Sequence, residues 1–166
     1  MIRLRTALLL VSLLMALVAG LLFLLPTSSA ACVDSTEPLE SMPWVTVTLG
    51  GPAGERSLPL RLAARVSQRS AGMQHLCPGS VAANPMLFVF ERALVPSFHM
   101  RNVHAELDIA FITPDWTVLE VHRMVPGPDL TTPSGPVLAA IEVAAGQARP
   151  LGLAPGTPVR LPGMTP

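Results

Sequence analysis

The chain has 166 residues with eleven basic and eleven acidic side chains, and every basic residue is an arginine. This length accommodates one domain plus a targeting segment rather than two full domains. Outside residues 1–31, nine arginines stand against eleven acidic residues, a net charge of −2. Nucleic-acid binding requires a basic footprint, so we expect no nucleic-acid partner.

The N-terminus has the pattern of a targeting segment, because two arginines precede the apolar run ALLLVSLLMALVAGLLFLL and small residues follow it. Cleavage after Ala30 or Ala31 would release a soluble protein. Retention would make residues 1–31 an N-terminal membrane anchor. A lipid on Cys32 is less favoured, because Leu is missing three positions before it. Each outcome places residues 33–166 outside the cytoplasm, in the periplasm or cell envelope, with membrane contact only through an uncleaved N-terminus.

The sequence contains two cysteines, Cys32 and Cys77. In an oxidising compartment they could form a disulfide that fastens the N-terminal leader to the domain. Alternatively, Cys77 is a buried free thiol. Both alternatives stay open at this point. A catalytic role for Cys77 is not indicated, since the segment HLCPGS offers no partner base.

A polar leader over residues 32–43 precedes the predicted globular domain over residues 44–163. Apolar or alternating runs bounded by Gly, Pro and Asn predict short strands in this domain. In chain order they are WVTVTL (44–49), LPLRL (58–62), MLFVF (86–90), AELDIAFI (105–112), TVLEVHRMV (117–125) and GTPVRL (156–161). The first two form a predicted hairpin across a glycine-rich turn.

One main helix of about three turns is predicted over AARVSQRSAGMQHL (63–76), which has no proline and no β-branched run. The segment VLAAIEVAA (137–145) fits a strand or a buried helix equally well. The segments PGSVAANP (78–85) and PGPDLTTPSGP (126–136) predict loops. Together these elements predict a single compact α+β domain, with a mostly antiparallel sheet curled towards a barrel.

The most polar segment of the domain is FHMRNVHAELDIAFI (98–112), with a turn or bulge predicted at Asn102 and Val103. On its predicted strand Asp108 lies between apolar neighbours, so we expect it to be partly buried. A buried carboxylate requires a partner, and Arg101 or Asn102 could supply it across the turn. Such a pair would form either a structural clasp or part of a pocket.

A second acid, Glu142, lies inside an apolar run and also requires a partner if it is buried. An ion pair with Arg101 is one hypothesis. We therefore predict a ligand-binding set of Arg101, Asn102, Asp108 and Glu142. No catalytic residue and no cofactor are assigned, because the sequence contains no nucleophile elbow, zincin, P-loop or dinucleotide-binding motif.

Two looser patterns would suit a metal ion. His104, Glu106 and Asp108 share one strand face and could bind zinc. A softer set could bind copper outside the cytoplasm. Its members are Met73, His75, Met86, His99, Met100 and His104. Neither pattern has the tight spacing of a metal motif, so no metal ligand is assigned.

Four segments, GMQHL, MLFVF, FHMRNVHAELDIAFI and IEVAAG with LGLAPGTPVRL, occur in the order typical of a family known as domain of unknown function 192. The chain resembles this family from Val45 to Leu161. The resemblance implies a small α+β domain that is often exported and has no settled activity. The residues that match the family pattern are Met86, Leu87, Phe88, Phe90, Phe98, Met100, Asn102, Leu107, Asp108, Glu142 and Gly146.

Several positions depart from that pattern. Arg101 replaces Lys and keeps the charge. His99 replaces Trp, Val103 replaces Thr, Glu106 replaces Pro, and Gln74 stands where Met is expected. Within 98–112 the resemblance therefore implies a required role for Arg101, Asn102 and Asp108, and local variation at the histidines and at Glu106.

Three hypotheses about function follow. The first is an exported, non-enzymatic small-ligand-binding or accessory module, whose partner is a small ligand or another envelope protein. The second is a hydrolase or lyase with Asp108 or Glu142 as general base and Arg101 stabilising an anion. The third is a protein that binds copper or zinc. A purely structural role for the polar set is also open.

Overall fold

The computed structural model of the chain describes residues 31–50 and 54–163. Across these residues the backbone forms nine strands and four short helices. The strands are β1 (Trp44–Leu49), β2 (Arg56–Ala63), β3 (Met86–Leu94), β4 (Phe98–His99), β5 (Leu107–Ile112), β6 (Val118–Met124), β7 (Leu130–Thr131), β8 (Val137–Ala144) and β9 (Val159–Arg160). The helices are α1 (Glu37–Glu40), α2 (Val66–Ala71), α3 (Pro78–Ala83) and α4 (Ala148–Leu151).

Seven strands form one sheet in the order β6-β5-β8-β3-β2-β1-β9, and β4 pairs with β7 in a separate ribbon. Neighbours in the large sheet are antiparallel except β2 and β3, which are parallel and are connected through α2 and α3. The outer strands meet at one end, where the Val159 N–H donates to the Trp116 carbonyl over 2.7 Å. The sheet is therefore curled into a half barrel, which confirms the predicted fold class.

The two faces of the sheet bury separate apolar clusters because side chains alternate along each strand. All seven strands contribute to the first cluster, through residues such as Val47, Leu60 and Ile141. The second cluster includes Met86 and Phe88 of β3 together with side chains from the helices. Every residue of β5 is buried, so both faces of the sheet are covered at this strand. Polar groups on β5 and β8 consequently lie in the interior.

The predicted three-turn helix over 63–76 is shorter in the structure, where α2 has six residues. Gly72 follows it with a φ of 49°, a left-handed value that a glycine adopts without steric cost, and the chain turns away. The predicted loop at 78–85 instead contains α3, which begins at Pro78. Proline suits the first helical position because its missing N–H would have no helical acceptor there. A further helix, α1, occupies part of the leader.

The strand predictions are confirmed with small changes of boundary. WVTVTL coincides with β1, and it pairs with β2 as the predicted hairpin. MLFVF is the start of a longer strand that runs to Leu94. VLAAIEVAA is a strand rather than a helix, and the loop at 126–136 contains the short β7. The turn predicted at Asn102 and Val103 is present one residue earlier, at residues 101–102.

Cys32 and Cys77 form a disulfide across a sequence separation of 45 residues, which settles the open alternative in favour of pairing. The same sulfur cannot also carry a lipid, so this bond and lipidation of Cys32 exclude each other. The leader is additionally held by a hydrogen bond from the Val33 N–H to the His75 carbonyl. The predicted signal peptide or anchor over 1–31 lies outside the described residues except for Ala31. No helix within 31–50 and 54–163 is long and apolar enough to span a bilayer.

Candidate functional site

Asp108 is the centre of a hydrogen-bonded clasp. Its carboxylate is buried and accepts a hydrogen bond from Arg123 Nε at 2.7 Å and from the Ala148 N–H at 3.1 Å. Arg123 also donates to Glu106 at 3.0 Å, and its hydrogen bonds to Asp108 and Glu106 raise the pKa of the guanidinium. The expected partner of Asp108, Arg101 or Asn102, was therefore wrong. The clasp joins β5, β6 and the start of α4.

Arg101 and Asn102 form an exposed turn rather than a partner for Asp108. Asn102 has a φ of 59°, and its carbonyl accepts the His75 N–H at 2.7 Å. Its side-chain amide donates to Gln74 Oε1 at 3.4 Å. Both residues line an open surface depression of about 660 Å³ together with His104 and the 126–128 loop. The structure thus places them apart from both buried acids.

Glu142 lies in the interior on β8, directly between Met86 of β3 and Ile109 of β5. Only 5% of the residue is exposed, and among residues 31–50 and 54–163 its carboxyl has neither a hydrogen-bond nor an ion-pair partner. The hypothesised pair with Arg101 is not formed. Burial raises the pKa of Glu142 to about 8 because the charged form loses its hydration. The side chain is therefore mostly a neutral acid at pH 7.

Glu142 and Asp108 face opposite sides of the sheet. Asp108 is paired in register with Val143, whereas Glu142 is paired with Ile109. Residues directly opposite each other on neighbouring strands share a face, and adjacent residues on one strand do not. The sequence prediction treated the two acids as members of one set. The structure separates them, so they cannot act on the same small ligand.

Glu142 lines a cavity of about 330 Å³ between α2, β3 and the segment that leads into β4. Three phenylalanine rings line the same space. Phe88 and Phe90 project from β3, and the Phe98 ring meets Phe88 edge-on with centroids 5.3 Å apart. The remaining lining residues are Val66, Arg69, Ser70, Ala71, Gly72, Met73, Gln74, Pro96, Ser97, His99 and Val103. The cavity therefore combines apolar aromatic walls with one buried acid.

Two polar side chains of the cavity wall, Arg69 and Gln74, are hydrogen-bonded to backbone carbonyls. Arg69 donates to the carbonyls of Ala64 and Val89, and its guanidinium lies 5.8 Å from the Phe90 ring centre. His99 differs, because its Nδ1 is buried without a hydrogen-bond partner among the described residues. The sequence reasoning missed Arg69 and the cavity role of His99. The available signal for the aromatic wall was the strand geometry of MLFVF, which places Met86, Phe88 and Phe90 on one face.

The metal-binding patterns are not assembled by the fold. Within the described part of the chain, no group of three or more His, Cys, Asp or Glu side chains could hold a metal ion. In the zinc pattern Arg123 already engages both Glu106 and Asp108. In the copper pattern the three methionines are buried in the apolar core, and His75 and His104 are exposed.

Comparisons with known proteins agree with this fold. A structure from Sinorhizobium meliloti 1021, provisionally described as a transcription regulator, has 27% identity and a TM-score of 0.65, covering 75% of this chain and 98% of that one. A protein of unknown function from Novosphingobium aromaticivorans DSM 12444 has 26% identity and a TM-score of 0.64, covering 82% and 98%. No curated protein matches the chain. The sequence model of the family DUF192 (domain of unknown function 192), described as "Uncharacterized ACR", matches residues 47–161. The chain therefore belongs to the DUF192 family.

Proposed function

We propose that this protein is an exported small-ligand-binding module of the cell envelope, and that its ligand occupies the cavity beside Glu142. The observation that carries the proposal is the buried carboxyl of Glu142, which faces a cavity of about 330 Å³ and has no partner among the described residues. Buried polar side chains in proteins are nearly always hydrogen-bonded, because an unmet group costs about 1–3 kcal/mol. The Glu142 carboxyl opens onto the cavity, so a ligand bound there would supply a partner in place of solvent.

The shape and lining of the cavity support this role. Small-molecule sites are concave, mostly apolar and fitted with a few polar groups, with volumes of about 300–1,000 Å³. This cavity lies near the lower limit of that range, which favours a compact ligand. Its aromatic walls supply apolar contact, while Glu142 supplies orientation. Asp108 is not part of the proposed site, because two donors already hold it on the other face of the sheet.

Export is supported by two features. The N-terminal run has the form of a secretory signal or anchor. The Cys32–Cys77 disulfide is of the kind that persists in oxidising compartments. The description of the Sinorhizobium meliloti protein as a transcription regulator finds no support in the net charge of −2 outside residues 1–31.

The proposal is tested by thermal denaturation of the full chain in a panel of cationic, neutral and anionic small molecules. We expect at least one class to raise the melting temperature of the wild type and to lose that effect in Glu142→Gln. Glu91→Gln is the matched control, because Glu91 is an exposed carboxylate on β3, the strand that carries Phe88 and Phe90. No stabilisation by any class, or equal stabilisation of wild type and Glu142→Gln, would refute the proposed site.

A hydrolase or lyase is a second candidate because Glu142 lines a cavity, where burial raises its pKa to about 8. A carboxyl that titrates near neutral pH inside a cavity suits general acid–base catalysis. The other acid of the original hypothesis, Asp108, lies on the opposite face and cannot assist it. This candidate predicts turnover of a bound compound with a pH profile that Glu142→Gln abolishes, whereas a binding module returns its ligand unchanged.

A further inference from the structure

We infer that the ligand of this cavity is a small organic ammonium ion, held by the carboxylate of Glu142 and by the faces of the surrounding phenylalanine rings. This inference rests on the proposed function and names the chemical class of its ligand. Two features of the cavity support it, the polar groups without a partner and the aromatic walls, and the proton on Glu142 makes the binding depend on pH.

Two polar groups in the interior of the described lining have no hydrogen-bond partner, the Glu142 carboxyl and the buried Nδ1 of His99. The Gln74 amide already donates to the Ser70 carbonyl at 2.8 Å, and Arg69 donates to two backbone carbonyls. Once Glu142 has lost its proton both of its oxygens are acceptors, and His99 Nδ1 accepts when the imidazole is neutral with its proton on Nε2. The hydroxyls that could donate to an anionic ligand belong to Ser70 and Ser97, which are exposed residues rather than part of the interior where Glu142 lies. An ammonium ion brings its own donors and suits these acceptors.

The aromatic walls favour the same charge. The face of a phenyl ring carries the negative part of its quadrupole, so it attracts a cation, and the attraction grows when water is excluded. Phe88, Phe90 and Phe98 place three rings in the wall of the cavity that Glu142 lines, and the guanidinium of Arg69 already lies over the Phe90 ring. Arg69 supplies the only fixed positive charge among the described lining residues, but it lies against Phe90 and is partly solvated. Its hydrogen bonds to two backbone carbonyls stabilise this charge and hold the guanidinium in place.

Binding a cation requires Glu142 to lose its proton. The balanced step is Glu142–COOH plus R–NH₃⁺ giving Glu142–COO⁻···R–NH₃⁺ plus one proton, which passes to the solvent. The titratable or charged groups that line the cavity in the described chain are Arg69 from α2, His99 from β4 and Glu142 from β8. Since Arg69 stays charged, only Glu142 and His99 can couple binding to pH. A His99→Asn variant separates their contributions.

The experiment is isothermal titration calorimetry on the full chain with two matched probe sets. One set is 2-phenylethylammonium, 2-phenylethanol and phenylacetate, and the other is n-butylammonium, 1-butanol and butanoate. Within each set the size is similar and the charge changes from positive to neutral to negative. We expect the ammonium probes to bind best, with affinity rising by roughly 30-fold between pH 6 and 7.5 and close to one proton released. In His99→Asn most of this pH dependence of the affinity should remain. In Glu142→Gln the pH dependence should disappear, and the affinity itself should fall by at least about tenfold.

The outcomes separate this inference from the proposed function. Preferred binding of the alcohols or carboxylates, lost in Glu142→Gln, would overturn the ammonium class and leave the cavity as a binding site. Ammonium binding with no pH slope, or with a slope that only His99→Asn removes, would overturn the role given to the Glu142 carboxylate. The absence of binding by every probe would overturn both proposals. Glu91→Gln should behave as the wild type throughout.

Discussion

Replacing Glu142 with glutamine is expected to change how protein stability depends on pH. The carboxyl has an ordinary pKa of 4.5, and burial raises it to about 8 in the folded protein. Between these values the unfolded chain is ionised while the folded protein keeps the proton. The free energy of unfolding therefore falls by about 1.4 kcal/mol for each pH unit in this window. The full decline is roughly 5 kcal/mol, and the contribution is constant below and above the window.

Glutamine has nearly the same shape and cannot ionise, so Glu142→Gln should lack this decline. The stability of the variant relative to the wild type should rise by roughly 5 kcal/mol from the acidic to the alkaline end of the window. Urea denaturation at several pH values, with the disulfide intact, measures the difference. Glu91→Gln serves as the control, and its stability relative to the wild type should not change with pH in the same way. A Glu142→Gln difference that does not vary with pH would refute the protonated, buried carboxyl.

Three further changes should act on stability, and each is measured by urea or thermal denaturation. Asp108→Ala should lower the free energy of unfolding by about 2–4 kcal/mol, because it leaves a buried backbone N–H unpaired and breaks the pair with Arg123. Replacing Cys32 and Cys77 with serine should cost roughly 4 kcal/mol by the chain-entropy estimate for a loop of this separation. Asn102→Ala should cost about 1 kcal/mol because of the left-handed backbone, and Asn102→Gly should cost little.

Each of these has a result that would contradict it. A stable Asp108→Ala protein that has lost cavity binding would show that the acid acts on the ligand and not as a clasp. A serine pair with wild-type stability would show that the disulfide does not restrict the unfolded chain. If Asn102→Ala and Asn102→Gly lowered the free energy of unfolding equally, the side-chain amide and not the backbone angle would be the cause.

The strands were predictable because their signals are local. In WVTVTL apolar residues alternate with threonine, whereas MLFVF is continuously apolar. The two segments form β1 and the start of β3 in the structure. The helices were harder, since each has only four to six residues. Short helices depend on packing and caps more than on propensity. Pro78, interpreted from the sequence as a breaker, instead occupies the first position of α3.

The site was only partly predictable for a different reason. Sequence position identified Asp108 and Glu142 as acids in apolar surroundings, and both are buried. Which face each one occupies depends on strand register, and register is set by pairings that a single sequence does not display. Arg123 became the partner of Asp108 because β6 pairs antiparallel with β5 and brings the two residues directly opposite. Proximity along the chain had favoured Arg101 instead.

The most direct test of the cavity as a binding site is native mass spectrometry of the full chain, purified from its own cell envelope without added ligand. The same sample is then measured after denaturation, and Glu142→Gln is treated identically. We expect the wild type to carry an additional small mass, released on denaturation and identifiable as an amine, which the variant does not carry. An identical retained compound in both proteins, or native masses equal to the denatured masses in both, would contradict the claim that Glu142 holds a ligand in this cavity.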